Sequence, residues 1–239
     1  VAWLLADLPP DEVRRRVADG TLTDLAGVGP KTAAVVTQAV GGQVPDYLVE
    51  LRRRGEKPLV EGGERVRAAV RGDLHAHSDW SDGGSPIREM ALAARELGHE
   101  YVVLTDHSPR LKVARGLSAE RLAQQLDVVA ELNLELHPFR ILTGIEVDIN
   151  LDGTLDQEPE LLARLDLVVA SVHSKLRMPA EQMTPRMVAA IANPHTDVLG
   201  HCTGRLVTGE RGRRPESEFD AEVVFAACAR FDVAVEINS

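Results

Sequence analysis

Hydrophobic and polar positions follow two different rhythms along this chain. From Gly72 onward, short near-continuous apolar runs alternate with longer stretches of helical spacing. Tyr101-Val102-Val103-Leu104 and Leu167-Val168-Val169-Ala170 are examples of the runs. Strands buried on both faces of a parallel sheet have this composition. The runs predict strands over 73–77, 101–106, 140–149, 167–173, 198–202 and 233–237. Between them the 3.6-residue period predicts helices. One opens at Ser85-Pro86, a capping residue and a first-turn proline, and puts Ile87, Met90, Ala91, Ala94 and Leu97 on one face. Others are expected over 118–133, 180–193 and 217–231. Strands joined by helical crossovers make an α/β fold with a parallel sheet.

Residues 1–71 have another character. A helical stretch over 11–18 stops at Gly20, and a second begins after Leu25-Ala26-Gly27-Val28-Gly29-Pro30-Lys31-Thr32. Gly27 and Gly29 permit a tight turn with free backbone N–H groups, and Pro30 suits the first helical position. This segment resembles a helix-hairpin-helix motif, whose glycine turn offers N–H groups and a helix N-terminus to a phosphate. Gly27, Gly29 and Lys31 are then the candidate contacts to a nucleic-acid backbone; a plain packing role for the hairpin is the alternative. Arg52-Arg53-Arg54 reads as an exposed helix face or linker. The Gly, Pro and charge-rich stretch that follows sets a boundary near Arg71 between a small all-α module (1–71) and the α/β domain (72–239).

The 239 residues hold no run near the roughly 18 consecutive apolar positions of a membrane span. Two cysteines, Cys202 and Cys228, cannot build a disulfide framework and fit a reducing, cytoplasmic setting. The chain opens without a basic secretory n-region or an initiator methionine, as a trimmed chain would. Aromatic residues make up 3%, too few for a base-stacking platform. Charge is uneven: residues 1–71 carry 11 basic against 10 acidic side chains, and the remainder 16 against 27. An acidic domain repels nucleic acid unless cations offset its charge locally.

The histidines suggest where such cations would sit. Of eight, five close a predicted strand: His75, His77, His107, His173 and His201. His75 and His77, two apart, share a face. Ser81-Asp82-Gly83 forms a turn that can bring Asp82 back to them. In Gly144-Ile145-Glu146-Val147-Asp148-Ile149 the apolar residues take one face, and Glu146 and Asp148 the other. Polar groups at the carboxyl ends of parallel strands are where barrels place their chemistry, and imidazoles with carboxylates suit Zn, Mn or Fe. His99 and His137 fall in turns and read as surface groups; His195 follows Pro194 in a loop and is given no role. Cys202, beside His201, reads as packing.

His75-Ala76-His77-Ser78, Ser81-Asp82-Gly83, Thr105-Asp106-His107-Ser108, Gly144-Ile145-Glu146-Val147-Asp148, Ser171-Val172-His173-Ser174 and Gly200-His201 resemble the motifs of the polymerase and histidinol phosphatase (PHP) superfamily. The likeness covers 72–239 and is nearest to the PHP domain of bacterial family X DNA polymerases, which also carry helix-hairpin-helix segments. It implies a distorted (β/α)7 barrel and two to three divalent metal ions. The implied ligands are His75, His77, Asp82, His107, Glu146, His173 and His201, with Glu146 bridging; Glu146, Asp82 and His107 take the catalytic part. The family's Asp-x-His pair on a later strand has no counterpart here, so the barrel is expected to be C-terminally incomplete. Lys175 and Arg205, near strand ends, are candidates for holding substrate phosphate, and Arg211, Arg213 and Arg214 for a polyanion rim.

Three readings follow. The first is a metal-dependent phosphoesterase working at nucleic-acid 3′ ends, with the hairpin as the DNA contact. The second is a small-molecule phosphomonoesterase of histidinol-phosphatase type. The third is a non-catalytic DNA-binding module with a structural metal. No polymerase palm fits between the hairpin and residue 72, so nucleotidyl transfer is not expected.

Overall fold

The computed structural model describes residues 4–5, 7–55, 62–207 and 213–237. Two compact units are present, Val1–Ala69 and Val70–Ser239.

In the first unit, α1 (Pro10–Asp19) ends on Gly20 at φ 71°. A single 3-10 turn over Leu22–Asp24 and Gly27 at φ 83° lead to α2 (Pro30–Val40), capped by Gly29 with Pro30 in its first turn. Buried Leu22 and Val28 anchor the hairpin from either side of Gly27, whose positive φ a side chain would strain. The α3 helix (Asp46–Gly55) is tied back to α2 by Gln38: its amide donates to Asp46 Oδ2 at 2.7 Å and accepts the Asp46 N–H at 3.1 Å. Arg52, Arg53 and Arg54 form the exposed last turn of α3. Hydrogen bonds from Arg53 and Arg54 hold Glu50 down to about 2, so part of this basic run is paired within its own helix. The unit ends with α4 (Glu64–Ala69). Most of the proposed linker, 56–61, lies outside the described residues.

The second unit runs β1 (Gly72–Ala76), α5 (Ile87–Glu96), β2 (Tyr101–Leu104), α6 (Ala119–Leu136), β3 (Arg140–Asp148), α7 (Pro159–Leu162), β4 (Leu167–Ser171), α8 (Ala180–Ile191), β5 (Val198–Leu199), α9 (Ala221–Phe231) and β6 (Ala234–Val235). The six strands are all parallel, in the order 1-2-3-4-5-6. That order never reverses, unlike that of a doubly wound sheet. The sheet curls instead: Glu236, just past β6, reaches His75 on β1 at 2.7 Å. Six strands therefore form a curled part-barrel of the expected type.

The core follows from the pattern. Ile141, Ile145 and Val147 of β3 and Val168, Val169 and Ala170 of β4 are almost wholly buried. The α5 helix packs Ile87, Ala91 and Ala94 inward. Ser118 caps α6, its Oγ accepting the Arg121 N–H at 3.3 Å, and α6 buries Leu122, Val129 and Leu136. Met183, Met187, Ala190 and Ile191 of α8 join the β3–β4 side of the core. Truncating one such side chain to Ala typically costs about 2–5 kcal/mol.

Strand ends differ from those expected. The strands stop at Ala76, Leu104, Ser171 and Leu199, so His77, His107, His173 and His201 follow their strands instead of closing them. At β5 regular pairing ends at Leu199, although Gly200 still donates its N–H to Ala170 O at 2.9 Å and lies so close to β4 that an added Cβ would sit 2.2 Å from Ser171 Oγ. The last helix begins at Ala221, not 217, because Asp220 caps it by accepting the Val223 N–H at 3.1 Å.

Candidate metal centre

Glu146 is the hub. On β3 its neighbours Ile145 and Val147 point into the core at 0% exposure, which turns Glu146 to the opposite face, where it is 1% exposed. Its N–H donates to Asp106 O, and its carbonyl accepts the Ser108 N–H, both at 3.1 Å. These bonds lay the segment after β2 along β3 and place His107 beside the Glu146 carboxylate.

Five imidazoles surround that carboxylate. His201 Nε2 is 2.7 Å and His173 Nε2 3.2 Å from Oε1. His107 Nδ1 is 2.9 Å, His75 Nε2 3.4 Å and His77 Nε2 3.5 Å from Oε2. Residues from four strand ends thus converge on one carboxylate from a fifth. Two ligand groups share it, His75–Glu146–His201 and His77–His107–Glu146, the offered atoms of each lying within 4.8 Å of one another.

The donor chemistry fits divalent cations. His77 Nδ1, His107 Nδ1 and Glu146 Oε2 are buried with no partner in hydrogen-bond geometry. Buried polar atoms are seldom left so, whereas nitrogen and carboxylate lone pairs crowded together are what Zn, Mn or Fe bind. Protein groups alone set strong shifts. Burial lowers His75, but the neighbouring carboxylates of Glu146 and Glu236 outweigh it and lift the group to about 10. Burial is likewise overcome at His173, which Asp148 and Glu146 raise to about 9. His77, with burial and the neighbouring His107 acting together, is lowered. Glu146 should be raised by burial, yet the close imidazoles of His107, His173, His201 and His75 hold it far below the usual carboxylate range.

A layer of buried polar groups fixes this cluster. Asp148, on the Glu146 face of β3, accepts from His173 Nδ1 at 2.9 Å, leaving Nε2 turned to Glu146. Asp106 accepts from Ser78 N–H (2.8 Å), Ser78 Oγ (2.6 Å), Ser81 Oγ (2.5 Å) and Gln125 Nε2 (2.6 Å). It thereby ties the loop after β1 to α6. Arg186 of α8 is 2% exposed. Its guanidinium donates to the carbonyls of Asn150 and Ser174, each at 2.9 Å, and to that of Ile149. One side chain so laces together the segments that follow β3 and β4, next to Asp148 and His173. Burial pushes the Arg186 guanidinium down from its ordinary value.

Asp82 stands at the rim, half exposed, with Oδ1 3.5 Å from His107 Nε2. Its turn is held by Arg115, which donates to the carbonyls of Asp79 and Ser81, and by Gly83. A Cβ on Gly83 would fall 2.1 Å from the His77 carbonyl oxygen. Backbone cannot yield as a side chain end can, so Gly83→Ala should destabilise the unit by about 1–3 kcal/mol. A lowered urea midpoint at unchanged slope would register it; an unchanged midpoint would contradict this placement of the turn.

The cluster floors a cavity of about 1000 Å³ whose walls include Leu111, Val113, Leu176, Phe225, Arg205 and Arg214. Arg205 therefore faces the cavity, loosely paired with Glu216 at 3.7 Å. Lys175 does not line it: it is exposed, at φ 55°. Arg213 is exposed, and Arg211 lies outside the described residues. Cys202 is buried, which raises its thiol. His137 is exposed, while His99 and His195 are half-buried.

Sequence reasoning assigns no site role to Asp148, Arg186 or Glu236. Asp148 leaves a signal, alternating with Glu146 on one strand face. A carboxylate ending the apolar run Val233–Val235 is the signal for Glu236. Arg186 leaves none beyond a cation in an apolar helix stripe.

The curled parallel sheet and its imidazole–carboxylate cluster define an α/β domain with a candidate metal centre at the ends of its strands. The PHP domain family model matches residues 73–239, and the chain belongs to that family. The DNA polymerase/3′-5′ exonuclease PolX of Bacillus subtilis is 45% identical over 181 residues, 76% of this chain and 30% of that protein. A probable phosphatase of Thermoanaerobacter sp. (strain X514) is 31% identical over 172 residues, 70% of this chain and 64% of that protein. The chain thus spans less than two thirds of either relative. A solved histidinol phosphate phosphatase from Lactococcus lactis, complexed with zinc, L-histidinol and phosphate, aligns at TM-score 0.49 and 18% identity, over 70% of this chain and 72% of that one. Among the described residues no helix is long and apolar enough to cross a membrane.

Proposed function

We propose that this chain is a metal-dependent phosphoesterase that trims nucleic acid from the 3′ end, with residues 1–71 as its DNA-contacting module. The observation that carries the reading is the convergence of five imidazoles on one buried carboxylate at the floor of an open cavity. His75, His77, His107, Glu146, His173 and His201 would hold two divalent ions, with Asp82 completing the set from the rim. Bound there, divalent cations would supply Lewis acidity, offsetting charge on phosphoryl oxygens and lowering the pKa of water toward neutral. The chain's own residues do the rest. Glu146 keeps the two ligand groups a fixed distance apart, and Asp148 and Arg186 keep His173 aimed. The Asp82 carboxylate, open to the cavity, can accept a proton there. Arg205 and Arg214 on the wall meet a phosphate; the exposed pair of Arg205 with Glu216 is weak enough to exchange for substrate.

PolX, named as a 3′-5′ exonuclease, supports the nucleic-acid reading. In the hairpin, the Gly27–Gly29 turn and the start of α2 offer N–H groups to a phosphate, with Lys31 exposed beside them, its Nζ 5.0 Å from the Tyr47 ring centre. A phosphatase acting on a small metabolite is the second reading, favoured by the excess of acid over base in 72–239.

The full chain with Mn²⁺ should release nucleotides from the 3′ end of single-stranded DNA. Turnover confined to small phosphomonoesters would replace the first reading by the second. DNA affinity should fall steeply with salt, and Lys31→Ala should reduce the salt slope by about 1. Salt-independent binding, or an unchanged slope, would leave the hairpin a packing unit.

A further inference from the structure

The two ligand groups that share Glu146 are not built alike. Behind His75 stands Glu236, its Oε1 2.7 Å from His75 Nδ1. The other oxygen, Oε2, accepts the backbone N–H of His201 at 2.5 Å. One side chain, 14% exposed, therefore touches both residues that complete the His75–Glu146–His201 group. A carboxylate accepts only, so His75 Nδ1 carries a hydrogen, and Nε2, on the Glu146 side, is the nitrogen that would give up its proton to a cation. Glu236 is itself anchored, its N–H donating to Leu199 O at 3.0 Å. It spans from the last strand to the first and holds the mouth of the curled sheet at a fixed width.

The His77–His107–Glu146 group has a looser frame. His77 Nδ1 is buried without a hydrogen-bond partner. His107 turns Nδ1 toward Glu146 itself and Nε2 toward half-exposed Asp82 at 3.5 Å. A ligand imidazole whose second nitrogen is held by a carboxylate keeps its tautomer and orientation and binds more tightly.

We propose that Glu236 is a positioning residue that makes the His75–Glu146–His201 group the tighter of two cation sites and leaves the His77–His107 group the exchangeable one. This rests on the reading of the cluster as a metal centre.

The test uses the full chain stripped of metal, titrated with Zn²⁺ against a competing chelator by calorimetry and with Co²⁺ by visible absorption. The unaltered chain should take up two equivalents in unequal steps. Glu236→Gln, which cannot accept from both His75 and His201, should weaken the tight step by about 10–100-fold and shift the other far less. His77→Ala should remove the weak step and keep the tight one. Circular dichroism checks the fold of each variant. Should Glu236→Gln not fold, Glu236→Asp carries the test: its charge stays but its reach shortens, so the tight step alone should weaken. Both steps unchanged, both weakened equally, or loss of the tight step in His77→Ala would overturn the proposal and spare the metal reading. No cation uptake by the unaltered chain would overturn both.

Discussion

Glu146→Gln should abolish phosphoester hydrolysis. Both ligand groups pass through this carboxylate, so the substitution strips an anionic ligand from each at once. An amide keeps the shape, but it has one acceptor oxygen in place of two and no charge to set against five imidazoles. Losing a partner one shell out from a metal costs about 10–100-fold; losing the shared ligand should exceed that range, with bound metal falling together with turnover. Ile145 and Val147 still bury their side chains, so the circular dichroism spectrum should hold. Turnover within tenfold of the unaltered chain, with metal retained, would show that Glu146 does not bridge the two ligand groups.

Arg186→Met should produce the largest loss of stability among single changes outside the apolar core. The guanidinium satisfies the carbonyls of Ile149, Asn150 and Ser174 at a place that is 2% exposed. Methionine fills much of the volume but donates nothing, and each buried group left unpaired costs about 1–3 kcal/mol. Relief from burying a charge offsets part of that sum, leaving an expected loss of about 3–5 kcal/mol. Arg186→Lys should recover only a fraction, because a point-like ammonium cannot reach three carbonyls in a fixed fork. Chemical denaturation measures both. A loss under about 1 kcal/mol would show that the carbonyls find other partners.

Much of the fold and of the clustering of histidines around Glu146 is legible in the sequence, for reasons with a physical basis. Near-continuous apolar runs mark strands covered on both faces, and β2 and β4 lie where such runs occur. A strand's period of two is enough to separate Glu146 from Ile145 and Val147. Strand-end histidines announce a shared edge because parallel strands all finish on the same side of the sheet. The groups that hold the ligands are harder to read. His75 and Glu236 are 161 positions apart, and no local period connects the first strand to the residue after the last. Only the curl of the sheet does. Arg186 binds backbone carbonyls, which every residue owns, so its partners leave no trace in side-chain identity. Asp106 lies inside a recognisable motif, yet its bonds to Ser78 and Ser81 depend on the path of the loop after β1, and its bond to Gln125 on how α6 crosses the sheet. At β5 the apolar pattern overstates the strand, whose regular pairing ends at Leu199.

Anomalous diffraction at the zinc edge, on crystals of this chain soaked with zinc, tests the centre most directly. Two peaks should flank the Glu146 carboxylate, one shared with His75 and His201 and the other with His77 and His107. Peaks elsewhere on the surface, with the five imidazoles turned away from Glu146, would contradict a metal centre built on that residue.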